Sequence, residues 1–80
     1  MLVSITYCRT CNFFPIAAKL GMDLTAELGC EMEYTPGKNG AFEIFRDGDL
    51  IFSKNKHARL PNKGEVLGIL KGEFPSNPEK

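Results

Sequence analysis

The sequence predicts an α/β domain of order β-α-β-β-β-α, with one four-stranded mixed sheet and two helices covering it. Three observations carry that prediction. A β-branched apolar run at residues 2–7 leads directly into a stretch with apolar residues at helical spacing. Two further β-rich runs flank Asp47-Gly48, a dipeptide typical of two-residue hairpin turns. A second, shorter amphipathic segment follows a polar stretch near the end of the chain.

Residues 2–7 alternate Leu2, Ser4 and Thr6 with Val3, Ile5 and Tyr7, so the second set should face the core of a central strand. The first helix is expected to start near Asn12, a good N-cap. Pro15 then falls at the third helical position, where its missing N–H has no partner to lose. Phe13, Ala17, Leu20, Leu24 and Leu28 form one stripe for packing on a sheet. Gly21 interrupts it at a cost of about 1 kcal/mol, or else marks a break with Asp23 capping a new helix. Gly29 is the natural stop.

Residues 30–35 alternate apolar with acidic residues and read as an edge strand with one wet face. Pro36-Gly37-Lys38-Asn39-Gly40 reads as a loop. Residues 41–46 and 49–53 make the hairpin. Residues 54–61 are polar and basic and read as a loop. Asn62 and Glu65 have capping-box spacing for a helix carrying Val66, Leu67, Ile69 and Leu70 and ending at Gly72. Pro75 and Pro78 leave residues 74–80 as a loose tail, so the expected domain is 1–73.

The first strand, helix and second strand make a βαβ unit, so those strands should be parallel with a right-handed crossover. Adding the hairpin antiparallel to the first strand gives the sheet order 2-1-3-4, the arrangement of a thioredoxin-like fold. Strands one, two and four then end on one sheet edge. There the Cys8/Cys11 motif, the loop 35–40 and the loop 54–62 should meet, with Lys54, Lys56, His57, Arg59 and Lys63 close to the thiols.

Eighty residues are near the lower limit for a single self-supporting core. Ten basic and ten acidic residues balance, which argues against a dedicated nucleic-acid or anionic-membrane binder. No apolar run approaches the roughly 18 residues needed to span a bilayer. Met1-Leu2-Val3-Ser4-Ile5 lacks the features of a signal peptide, so a cytoplasmic location is expected. A monomer is expected as well. Three cysteines cannot close a disulfide framework among themselves.

In a reducing compartment a lone Cys-x-x-Cys points to a redox pair. Cys8 and Cys11, taken as the strand-to-helix junction, should have Cα atoms roughly 5–6 Å apart, inside the disulfide window of about 4.4–6.8 Å. At a helix N-terminus such thiols, normally titrating near pH 8.5, can fall to roughly 3.5–7.5. Arg9, between them, acts in the same direction. Zinc is the rival chemistry, but a structural site needs four ligands and only Cys30 and His57 remain within one chain. A purely structural disulfide is the plainer alternative. Cys30 reads as a small buried hydrophobe, with a resolving thiol or glutathione adduct as its functional alternative. His57 is a general-base candidate set against a solvated loop histidine. The basic loop is a docking patch or an ordinary polar surface.

With these pieces in place the chain resembles the SelT/SelW/SelH group, the Rdx family related to selenoprotein W. The likeness lies in Ile5-Thr6-Tyr7-Cys8-Arg9-Thr10-Cys11, Thr35-Pro36-Gly37, Gly40-Ala41-Phe42-Glu43-Ile44, Gly48-Asp49-Leu50-Ile51-Phe52-Ser53-Lys54 and Leu60-Pro61. It implies a thioredoxin-like fold and a thiol-based redox role without a bound cofactor. Glutathione, an oxidised protein or a small disulfide would be the exchange partner. Members commonly carry selenocysteine at the second motif position, here Cys11. The resemblance therefore implies that Cys11 attacks and Cys8 resolves, whereas plain thioredoxins use the first cysteine. Arg9, Thr10, Pro36, His57 and Arg59 are the expected flanking residues. Thioredoxin also has a cis-proline before its third strand, facing the thiols, whereas Pro36 stands five residues before Ala41. The competing reading, from a different functional class, is a redox-responsive interaction module docking through Phe13 and Phe14.

Overall fold

A computed structural model describes residues 1–57, 59–61 and 64–72. They form β1 (Leu2–Cys8), α1 (Phe14–Leu28), β2 (Glu31–Gly37), β3 (Phe42–Arg46), β4 (Asp49–Ser53), a single turn α2 (Lys54–His57) and α3 (Glu65–Leu70). The sheet order is β2-β1-β3-β4. β1 is parallel to β2 and antiparallel to β3, which is antiparallel to β4. This is the thioredoxin-like topology expected when the hairpin adds antiparallel to the first strand.

Val3 and Ile5 of β1, Phe42 and Ile44 of β3 and Phe52 of β4 are fully buried. α1 lays Ala17 and Leu24 on them, and α3 adds Val66, Ile69 and Leu70 to the same cluster. Phe13, Leu20 and Leu28 line the flank of that core, as the stripe in α1 requires. Fully burying one such aliphatic or aromatic side chain contributes about 1.5–3 kcal/mol, which is what holds a sheet this small. Asp47 (φ 49°) and Gly48 (φ 92°) make the hairpin turn with both residues left-handed. The turn is also tied to β1: the Asp47 N–H donates to Leu2 O at 2.8 Å, and the Leu2 N–H to Asp47 Oδ1 at 2.9 Å.

Several boundaries differ from the sequence expectation, each for a local reason. α1 starts at Phe14 with Phe13 at the N-cap, one position after the expected cap Asn12, and Pro15 is its second residue. Asn12 is left-handed (φ 59°) and caps nothing, because the chain must first turn off β1 and seat Phe13 edge-on against Phe42, ring centroids 5.9 Å apart. Helix α1 runs unbroken through Gly21. A Cβ there would collide with the Tyr34 hydroxyl, so the glycine is where β2 approaches the helix.

β2 continues through Pro36-Gly37 instead of stopping at Thr35. An edge strand tolerates a proline whose missing N–H faces away from the ladder. Residues 54–57 form a helical turn in the expected loop, one too short to show periodicity in sequence. The expected Asn62–Glu65 cap is replaced: Asn62 lies outside the described residues, Gly64 occupies the N-cap, and Glu65 opens α3. The expected tail, 74–80, also lies outside them.

Candidate redox site

Cys8 is the last residue of β1, and its N–H donates to Ala41 O at 2.8 Å. That bond extends the β1–β3 ladder by one step and pins the residue at the end of a central strand. The residue is 1 % exposed. The chain then turns through residues 9–12, which are all exposed, before Phe13 starts the approach to α1. Both cysteines therefore precede the helix and do not open it. Cys8 and Cys11 nevertheless have Cα atoms 5.4 Å apart and are joined in a disulfide. The pair is asymmetric, with one sulfur held by the sheet and one carried on a solvent-facing turn.

Thr10 stands over the buried member. Its hydroxyl is 3.3 Å from Cys8 Sγ and donates to Asn39 Oδ1 at 3.1 Å. Asn39 is a neighbour of the pair that sequence reasoning treated only as a turn former, since nothing local links it to a residue 29 positions earlier. On the other flank Pro36 is opposite Tyr7 and Gly37 opposite Cys8 in the β1–β2 register. Gly37 has no room for a side chain, because a Cβ would stand 2.5 Å from Thr6 Cγ2. Beside them Phe14, 46 % exposed, packs between Tyr7 and Tyr34 with ring centroids 5.3 and 5.7 Å away.

The remaining residues singled out in sequence are placed as follows. Arg9 is exposed in the turn. Ser53, at the end of β4, pairs with Glu43, and Glu43 with Thr6, so α2 and His57 leave from the sheet edge that carries Cys8. Lys63 lies outside the described residues. Arg59 is bound by Glu65 through both guanidinium nitrogens at 2.7 and 2.9 Å, with its charge 5.9 Å from the Phe52 ring centre. The Glu65 hydrogen bond, aided by its charge and opposed by desolvation, raises the Arg59 pKa above its ordinary value. Arg59 is thus engaged at the start of α3.

Cys30 is buried just before β2, at the opposite end of the sheet from Cys8, about 20 Å away by strand rise. Its thiol lies 3.8 Å from Met32 Sδ. Within one chain it can neither resolve Cys11 nor share a zinc ion with the pair. Among the described residues no three His, Cys, Asp or Glu side chains gather as a metal-ligand set. No described helix is long and apolar enough to cross a membrane.

Comparison with known proteins agrees with this geometry. Migration and invasion enhancer 1 of Mus musculus is 30% identical over 70 residues, which are 86% of this chain and 61% of that protein. Its Bos taurus counterpart is 29% identical over the same length and shares. The chain thus spans about three fifths of the length of these curated relatives. A selenoprotein W-related protein from Vibrio cholerae superposes with a TM-score of 0.77 at 27% identity, covering 89% of this chain and 92% of that one. A Bordetella parapertussis protein superposes with a TM-score of 0.80 at 23% identity, over 91% and 96%, and bears on the fold alone. The model of the Rdx family matches residues 2–72, a span that holds the Cys8–Cys11 pair and every described element, and the chain belongs to that family.

Proposed function

We propose that this chain is a thiol–disulfide redox protein in which Cys11 attacks and Cys8 resolves. The observation that carries the reading is the difference in exposure: Cys11 lies on an exposed turn, whereas Cys8 is 1 % exposed at the end of β1. A bulky oxidised partner reaches only the first. The Cys11 thiolate attacks one sulfur of the partner's disulfide, and the partner's other sulfur leaves as a thiolate. Cys8, as thiolate, then attacks Cys11 Sγ; the Cys8–Cys11 bond forms and the partner's second sulfur leaves reduced. Two electrons pass from the pair to the partner, and a thiol such as glutathione returns the pair to its reduced form. The chemistry suits a reducing compartment.

Trapping tests the assignment of roles. Cys8→Ser should accumulate mixed disulfides through Cys11, visible by mass after alkylation. Accumulation through Cys8 in Cys11→Ser, and none in Cys8→Ser, would reverse the roles. Titration of a Cys30→Ala variant in glutathione buffers should show a reversible Cys8–Cys11 disulfide with a potential between about −180 and −300 mV. A pair that stays reduced throughout removes the dithiol cycle.

The exposed Phe14 ring beside the pair favours a second reading, a redox-responsive interaction module without turnover. Phe13, by contrast, is partly buried against the core. A bound partner should be retained by the oxidised protein and lost from a Cys8→Ser/Cys11→Ser variant. Equal retention by both would remove this reading.

A further inference from the structure

Thr10 and Asn39 form a polar strap over the buried sulfur of the pair. The Thr10 hydroxyl lies within hydrogen-bond reach of both Cys8 Sγ and the Asn39 side-chain amide, at 3.3 and 3.1 Å. A hydroxyl has one proton and cannot donate to both. An asparagine amide presents an acceptor at one end and a donor at the other, and a half-turn about its last side-chain bond exchanges them. With the oxygen toward Thr10, the amide takes the hydroxyl proton and the sulfur meets only lone pairs. That state suits a Cys8 thiol, whose S–H points at Thr10. With the nitrogen toward Thr10, the amide donates and the hydroxyl proton turns to the sulfur. That state suits a Cys8 thiolate, because a hydrogen bond to the charged form favours it.

We propose that Asn39, acting through Thr10, is a positioning residue that sets the thiolate character of Cys8. It thereby sets the rate at which Cys8 resolves a mixed disulfide on Cys11. The inference rests on the reading that Cys11 attacks and Cys8 resolves. In the resolving step the Cys8 proton goes to solvent, the thiolate bonds to Cys11 Sγ, the Cys11–adduct bond breaks, and the adduct leaves as a thiolate. The other ionisable groups on the surrounding elements are Arg9 and Cys11 in the same turn, Tyr7 on β1, Tyr34 on β2 and Lys38 in the facing loop. Glu43 on β3 is hydrogen-bonded by Ser53 at 3.4 Å. α2 supplies Lys54, Lys56 and His57 by position. Cys11 is bonded to Cys8 itself, and no other described side chain among these makes a hydrogen bond to Asn39, Thr10 or Cys8.

The test uses the full chain with Cys30→Ala and dithiobis(nitrobenzoate) as oxidant. Cys11 releases one nitrothiolate on attack. Cys8 then releases the second in a phase independent of reagent concentration, and its pH profile reports the Cys8 thiol. Asn39→Asp can only accept, so it holds the Thr10 proton away from the sulfur and should move that profile to higher pH. A profile moved far enough to lower the thiolate about tenfold also leaves the sulfur about threefold more nucleophilic, so the second phase should slow about threefold near neutrality. Measurement in about 0.5 M salt, with a Debye length of roughly 4 Å, suppresses the bare charge of the new carboxylate.

In a Thr10→Val background Asn39→Asp should add nothing, and Thr10→Ser should keep the original profile. An unmoved profile in Asn39→Asp, or an equal displacement with and without Thr10, overturns the inference while leaving the dithiol cycle standing. A first phase with no second phase in the parent overturns the cycle and the inference with it.

Discussion

Gly37 shows how single residues shape this site through what they lack. It lies opposite Cys8, and a methyl group there would meet Thr6 Cγ2 at 2.5 Å and Ala41 Cβ at 3.3 Å. Gly37→Ala should therefore lower stability by about 1–3 kcal/mol, the usual cost of overpacking, measured by urea unfolding. It should also slow Cys8–Cys11 closure, because the β1–β2 pairing opposite Cys8 has to spread. A substitution at Gly29 makes a useful contrast: it has open space but φ 65°, so the strain of Gly29→Ala is conformational and should leave disulfide closure alone. Sequence reading identified Cys8 and Cys11 from their spacing and their place between a strand and a helix. It took Gly37 for a turn residue, because the methyl that excludes a side chain there belongs to a neighbouring strand.

Elements meet at the α1–β2 contact, where Gly21 receives the Tyr34 side chain. In isolation Gly21→Ala should stabilise a helix by about 1 kcal/mol. Here the added methyl displaces the Tyr34 hydroxyl, and the ring contact between Tyr34 and Phe14 moves with it. We expect Gly21→Ala to be destabilising in the parent and stabilising in a Tyr34→Ala background, a change of sign readable from a double-mutant cycle in urea. Equal effects in both backgrounds would show that the glycine is tolerated and not required. On the sheet side of the same helix, Leu24 is fully buried, and Leu24→Ala should cost about 2–5 kcal/mol with no effect on which cysteine is trapped. The leucine stripe was legible because helical periodicity is local. The boundaries were less so: the start of α1 depends on where Phe13 meets Phe42, and α2 is too short to carry a pattern.

At the scale of the whole molecule, the redox state of the pair and the stability of the fold are linked. The Cys8–Cys11 bond closes a loop of only four residues, for which chain entropy gives about 2 kcal/mol of stabilisation. Oxidised protein should exceed reduced protein by about that amount in urea unfolding, with similar m-values. A reduced form that is the more stable of the two would mean that the native pair resists closure. The sheet also separates the cysteines: Cys30 is buried at the far end from the pair. Cys30→Ala should therefore leave the yield of the Cys8–Cys11 disulfide unchanged in an alkylation assay.

The β-α-β-β-β-α order of the main elements, the hairpin turn and the Cys8–Cys11 pair all followed from the amino-acid sequence by itself, and connection rules turned that order into the order of strands. Each depends on information carried within a few residues: alternation, helical spacing, Asp47-Gly48, and two cysteines three apart. The folded structure decided what depends on distant residues. It placed Cys8 under the sheet edge and Cys11 on an open turn, drew Pro36 and Gly37 into β2, committed Arg59 to Glu65, and brought Asn39 to Thr10. The physical reason is that burial and side-chain hydrogen bonds are set by which side chains meet across the sheet, and a local pattern fixes the order of the elements without recording those meetings.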